Sequence, residues 1–364
     1  MLVFREKVDF KIEYPIETLA SKNEVLFFDI ETTGFSRDKC FIYLIGCMYY
    51  IGDTLMYTQW LAETKNDEAN VLMAFHKFMQ PFRTIIHFNG NTFDIPFVKA
   101  RGEKIRLDFD FASMNSLDIY KPVSKLQHLF GLENTRQKSF ETLLGINRKD
   151  PFTGGELVEV YFEFLRTKDA KLLFPLLLHN KEDVWNMGKL LSLLSLPDLL
   201  TGKFQVEDFS LDQLSKDSLE QELRITLRTV SEIPTRISYQ LDGVYLIASQ
   251  HKAQITVQVF TGERKFFFED YKNYYYLPLE DRAIHKSIAS FVDSKYRKQA
   301  TKATCYEKKN SSFLPVWGDC SLGPVFRDNP SDALGFLEYS LLSEENISDY
   351  VQNIFNHLTI KPKK

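Results

Sequence analysis

An apolar run, Val25-Leu26-Phe27-Phe28, delivers Asp29 and Glu31 and then breaks at Thr32-Thr33-Gly34. In a strand, residues i and i+2 point to the same side, so the two carboxylates are expected to stand together at a strand end. Such neighbours repel unless a positive charge lies between them, and the usual occupant is a divalent cation. Further along, His179 and Asp183 are spaced i, i+4 within His179-Asn180-Lys181-Glu182-Asp183. On a helix that pair shares one face, and can supply one metal ligand and one general base. Asp94 closes Asn89-Gly90-Asn91-Thr92-Phe93-Asp94, a stretch of turn-forming residues, where it would either cap a helix or approach the strand acids.

The elements that must position these side chains are legible in outline. Phe41–Tyr50 and Leu55–Leu61 read as two further strands around a turn at Ile51-Gly52-Asp53, which makes an antiparallel three-strand unit. A helix capped by Asn66 or Asp67 carries Val71, Leu72, Phe75, Phe78 and Met79 at the 3.6 period and is stopped by Pro81. Arg83–Phe88 is a fourth strand that, lying beside the first, would bring Asp94 to Asp29 and Glu31. Short helices are expected over Pro96–Arg101, Lys125–Phe130 and Ser139–Leu144, another carries Leu157, Val160, Tyr161, Phe164 and Leu165, and a long one runs over about 171–196. This order gives an α/β domain with one central mixed sheet flanked by helices, residues 24–200, after an N-terminal extension, 1–23.

Pro197–Lys216 reads as a connection. Beyond it, Ile225/Leu227, Ile237/Tyr239/Leu241, Val244/Leu246, Ile255/Val257/Val259 and Phe266/Phe268 alternate with polar residues, with turns at Asp242-Gly243 and Thr261-Gly262. The pattern predicts an α+β domain, 201–364, with an antiparallel meander, then a helix over about 279–303. A last helix has the stripe Ile347, Tyr350, Val351, Ile354, Phe355 and Leu358, and residues 361–364 form a frayed tail.

At 364 residues, 44% hydrophobic and 26% charged, the composition is that of a globular protein with room for two cores. A net charge of −4 provides no global attraction to nucleic acid, so such contact needs local basic surface or metal ions. Charges interrupt Met1–Lys7 and no run of eighteen apolar residues occurs, so neither a signal peptide nor a membrane span is expected. The four cysteines have no Cys-x-x-Cys spacing, which argues against a zinc site or disulfides and for a reducing, cytoplasmic setting.

FDIETTG, NGNTFDIPF and HNKEDV, in that order, resemble the three motifs of the DEDD superfamily of 3′ to 5′ exonucleases. With Leu117-Asp118-Ile119-Tyr120 and Tyr161–Leu165 between them, the chain is most similar to the YprB-like ribonuclease H-like proteins of bacteria, over about residues 24–195. The resemblance implies a ribonuclease H-like fold, Asp29, Glu31, Asp94 and Asp183 as acids holding two Mg²⁺ or Mn²⁺ ions, and His179 as the base. Asp29 would bridge both ions, Glu31 and Asp183 hold one each, and Asp94 act partly through water. One departure stands out: members of the superfamily that use histidine usually have four residues before the last aspartate, whereas this chain has three.

Two ions about 4 Å apart suit phosphodiester hydrolysis, since one can activate water while the other stabilises the leaving oxygen, and oxygen ligands favour Mg²⁺ or Mn²⁺ over zinc. His179 taking the water's proton would contribute about 10²–10⁴ in rate. The expected substrate is nucleic acid, DNA or RNA, with a single-stranded 3′ end, contacted at Thr32, Gly34, Phe35 and Asn89. Asp118 is expected to cap a helix. Lys295, Arg297, Lys298 and Lys302, with Tyr296 and Tyr306 interleaved, could contact phosphates or form a solvated face, and Tyr274–Tyr276 fits a strand with one buried face. A non-catalytic binding module and a structure-selective endonuclease on the same fold are the competing readings.

Overall fold

The computed structural model describes residues 1–213, 220–318 and 320–361. The chain divides into two compact units, Met1–Pro197 with Ser231–Thr235, and Asp198–Val230 with Arg236–Lys364.

The first unit is built on a six-stranded mixed sheet. Its strands are β1 (Leu2–Lys7), β2 (Val25–Thr32), β3 (Ile42–Ile51), β4 (Thr54–Leu61), β5 (Thr84–His87) and β6 (Asn115–Asp118). The order is β1-β4-β3-β2-β5-β6; β1, β4, β3 and β2 each run antiparallel to the next, β5 runs parallel to β2, and β6 runs parallel to β5. Val25–Phe28 are fully buried without alternation, because β2 is central and both sheet faces are covered. Phe28 stacks on Phe75 of α1 (Glu68–Met79), at 5.6 Å between ring centroids. The next residue, Asp29, points the other way.

Around the sheet lie α2 (Asp94–Lys104), α3 (Tyr120–Lys125), α4 (Gln137–Leu143), α5 (Gly154–Thr167) and α6 (Leu173–Leu190). A short α7 (Ser195–Leu200) follows a 3₁₀ turn over Leu191–Leu194, so the expected single helix over 171–196 is broken near its end. The helix expected over Lys125–Phe130 starts five residues earlier, because Asp118 Oδ1 accepts the Tyr120 amide (3.1 Å) and nucleates it there. Residues 1–23 are more than an extension: Leu2–Lys7 alternate half-buried and exposed and complete the sheet edge, with Leu2 opposite Leu61 and Lys7 opposite Met56.

In the second unit the strands are β7 (Phe204–Gln213), β8 (Gln221–Leu241), β9 (Val244–Gln258), β10 (Phe260–Phe267), β11 (Tyr274–Leu277), β12 (Arg282–His285), β13 (Lys298–Gln299), β14 (Tyr306–Trp317), β15 (Val325–Phe326) and β16 (Leu334–Glu338). They form three sheets, β7-β8-β9, β10-β14-β16-β15 and β12-β11-β13. Asp242 and Gly243, both at positive φ, turn β8 into β9.

Three expectations are corrected here. The supposed connection contains β7, hidden because Glu207 and Asp208 interrupt its alternation at a bulge; residues 214–219 lie outside the described residues. Gly262 sits inside β10, opposite Ser311, rather than in a turn. Residues 279–303 are not one helix: β11 and β12 form a hairpin, α8 (Lys286–Ala289) is one turn, and β13 returns to β11. Leu279, Ile288 and Phe291 are exposed, so the segment has no apolar stripe to bury as a helix. Asp281, at positive φ, accepts from the hydroxyls of Tyr276 (2.6 Å) and Tyr306 and from Lys308, which closes the hairpin. The last helix, α9 (Ile347–Leu358), buries its whole expected stripe. Of the expected tail, residues 362–364 lie outside the described residues.

Candidate active site

The strand places its two acids as period 2 requires. Asp29 and Glu31 face Gly46 and Leu44 of β3, and the register shifts immediately after Glu31. Glu31 is buried. The missing side chain at Gly46 matters, since a Cβ there would lie 2.0 Å from Asn180 Oδ1. Asn180 of α6 therefore comes down onto the sheet and is fully buried. Its amide donates to Asp29 Oδ2 (2.9 Å), while its carbonyl oxygen accepts from Tyr57 Oη (3.0 Å) and Gln59 Nε2 (3.1 Å). This network locks α6 against β2 to β4 and aims one Asp29 oxygen.

Asp94 is the first residue of α2, and its Oδ1 accepts the Ile30 amide, between the two strand acids (3.3 Å). The turn that brings it there is held by the buried His87. Nδ1 of His87 accepts the Gly90 amide (3.0 Å), so the neutral ring carries its proton on Nε2, which meets Ser116 Oγ at 2.8 Å. Burial lowers the His87 pKa to about 4, which keeps that ring neutral.

From α6, His179 Nε2 lies 3.3 Å from Asp183 Oδ2 and 3.9 Å from Glu31 Oε1. Glu31, His179 and Asp183 each offer one ligand atom within 4.8 Å of the others. The loop between α4 and α5 supplies the remaining side chains. Arg148 donates to Asp183 Oδ1 (2.6 Å) and reaches Glu141 Oε1 at 3.3 Å. Asp150 Oδ2 stands 2.6 Å from His179 Nδ1. Glu182 accepts the amides of Lys149 (2.8 Å) and Asp150 (3.0 Å), which ties the loop to the helix that bears His179 and Asp183.

The electrostatics follow from this crowding. Burial raises Asp29 well above the usual carboxylate range, and the charges of Asp94, Asp183 and Glu31 push it further. Glu31 is raised by burial and by Asp183 and Asp94, with Arg148 only partly opposing. Asp94 is pushed up to about 7, chiefly by burial, although the Ile30 amide works against it. Burial opposes charge on Arg148, but Asp183 and Glu141 outweigh it and keep the guanidinium ionised. A cleft of about 500 Å³, lined by Asp29, Arg136, Lys138, Arg148, His179 and Asp183 among others, opens onto the acids.

Residues 26–195 match the family model of the RNase_H superfamily. This domain is ribonuclease H-like. Similar solved structures include a family B DNA polymerase from the hyperthermophilic archaeon Pyrobaculum calidifontis, at 17% identity over 48% of this chain and 24% of that one (TM-score 0.38). Another is E. coli exonuclease I in complex with a dT13 oligonucleotide, at 11% identity over 56% of this chain and 54% of that one (TM-score 0.31). The chain thus spans about a quarter of the polymerase and about half of the exonuclease. No curated protein matches it.

At the mouth of the ribonuclease H-like domain, Thr32 Oγ1 donates to Gly34 O (2.9 Å), and Gly34, at φ 148°, leaves no room for a side chain beside Cys40 Sγ. Phe35 is 90% exposed, with its ring edge-on to Phe93. Asn89 takes a positive φ and spends its amide on Asp118 Oδ1 (2.7 Å). Asp118, one residue before the N-cap Ile119, therefore holds the first residue of α3 and also fixes the Asn89 turn. In the second unit, Tyr306 is buried and Arg297 stacks on Tyr275 and donates to Ala289 O, so neither belongs to an open basic face; Lys295, Lys298 and Lys302 remain exposed. The reading of the sequence missed Asn180 and Glu182 although both lie inside HNKEDV, and it missed Gly46, Arg148 and Asp150, which belong to no motif. Among the described residues, no helix is long and apolar enough to cross a membrane.

Proposed function

We propose that residues 24–200 form a metal-dependent nuclease of the DEDD type, similar to the YprB-like proteins, which hydrolyses phosphodiester bonds from the 3′ end of a single strand. Residues 201–364 would be its accessory domain. One observation carries the reading: Asp29, Glu31, Asp94 and Asp183, brought from β2, α2 and α6, crowd together so closely that burial and mutual repulsion raise three of them. A fold keeps such a cluster at a cost in stability unless a cation offsets it.

The donor set fits a divalent ion, because carboxylate oxygens converge from three elements and Arg148 is shared with Glu141. Asp29, Glu31, Asp94 and Asp183 would hold two Mg²⁺ or Mn²⁺ ions, which supply positive charge to the attacking water and to the leaving oxygen. Asn180 keeps Asp29 in one orientation. The Ile30 amide does the same for Asp94. His179 Nε2 faces the acids and takes the proton of the attacking water. Phe35 offers an exposed ring for the terminal base, and Thr32, Gly34 and Asn89 shape the backbone beside the scissile phosphate.

The test is cleavage of 3′-labelled and 5′-labelled DNA and RNA in Mg²⁺ or Mn²⁺, with Asp29→Ala as control. Stepwise ladders from the 3′ end are expected. Internal cuts would identify an endonuclease instead. No metal-dependent cleavage, or equal cleavage by the variant, would sink the nuclease reading.

A further inference from the structure

Asp150 is a fully buried carboxylate that the proposed ion site does not use. Both of its oxygens are committed. Oδ1 accepts the Phe152 amide (3.0 Å), and Oδ2 lies 2.6 Å from His179 Nδ1. Lys138 Nζ stands 3.7 Å from Oδ2, and Glu182 holds the Asp150 backbone against α6. A carboxylate oxygen at that distance accepts, so Nδ1 donates. In the neutral ring the Nε2 lone pair then points toward Glu31 and Asp183.

We propose that Asp150 is a positioning residue, which fixes the orientation and the Nδ1–H tautomer of His179 so that Nε2 faces the water to be deprotonated. The inference rests on the reading of His179 as base. Asp150 does not touch substrate; it acts through His179. The anchoring of Oδ1 makes an isosteric variant informative. In Asp150→Asn the Phe152 amide still demands an acceptor at the Oδ1 position. The new NH₂ group must then face His179 Nδ1, and the ring is driven to the Nε2–H tautomer, which cannot accept a proton from water.

Two measurements on the full chain test this. The first is ¹⁵N NMR of the His179 ring in metal-free protein at neutral pH, assigned with His179→Gln. Wild-type protein is expected to carry the proton on Nδ1, and Asp150→Asn on Nε2. An Nε2–H ring in the wild type, or the same tautomer in both proteins, overturns the proposal. The second is steady-state cleavage in Mn²⁺ by wild type, Asp150→Asn, His179→Gln and the double variant. We expect kcat of Asp150→Asn to fall about 10²-fold or more with KM changed less than about threefold, and the double variant to be no slower than His179→Gln. Additive losses would mark Asp150 as merely structural and overturn the assignment. If wild type cleaves nothing, the nuclease reading falls by itself, and the tautomer measurement still decides what Asp150 does.

Discussion

Carboxylates in the two units of this chain are treated in opposite ways. In the second unit, Asp281 is held well below the usual carboxylate range, because Lys308, Tyr276 and Tyr306 all donate to it. In the first, Asp29 and Glu31 are held well above that range, because burial and neighbouring acids outweigh what Asn180 and Arg148 offer. Asp281 has its counter-charge within the protein and serves the hairpin. The other acids fall short of their counter-charge, and that shortfall is what a divalent ion would meet. A perturbed acid therefore points to function only once its partners are counted.

The comparison can be broken in several places. Asp29→Ala should lower metal-dependent cleavage by about 10³-fold or more, equivalent to about 4 kcal/mol of barrier, as read from kcat. Saturating Mn²⁺ should stabilise the protein at pH 8 by about 2.7 kcal/mol at one hundred times Kd. Thermal melts would register this as a rise in Tm, which Asp29→Ala should lack. Gly46→Ala should cost about 1–3 kcal/mol in chemical denaturation, because its Cβ would collide with the Asn180 carbonyl.

Asp94 gives a prediction with a sign. Its folded pKa of about 7 is above the usual carboxylate value, so the folded protein binds the extra proton. The associated stability is present below about pH 4 and is lost as pH rises toward 7. The Asp94 contribution should therefore make metal-free protein less stable at pH 8 than at pH 5. Asp94→Asn keeps an acceptor for Ile30, and should flatten that dependence and stabilise the metal-free protein at pH 8 by about 1 kcal/mol. Unchanged pH dependence would remove Asp94 from the repelling cluster. The smallest effect is expected for Tyr276→Phe, at most about 0.5 kcal/mol with cleavage unaffected, because Asp281 is 42% exposed and solvent screens its partners.

Much of the first unit was legible because its signals are local. Period 2 in β2 put Asp29 and Glu31 on one side, and i, i+4 on α6 put His179 beside Asp183. The mixed sheet followed from strand order and, in the second unit, the α9 stripe followed from its period. Where the local signal was weak the reading failed. Residues 279–303 carry apolar side chains that stay exposed, and the β7 alternation is interrupted by acids at a bulge.

The sequence by itself determined which acids could share a site, since neighbours along a strand or a helix turn are placed by backbone geometry alone. Only the tertiary structure decided how they are held. Asn180 meets Asp29 across 151 positions, Arg148 meets Asp183 across 35, and Asp150 meets His179 across 29. No periodicity links residues so far apart. Their meeting depends on a glycine in β3 that lets α6 close on the sheet, and on a loop that Glu182 fastens to that helix.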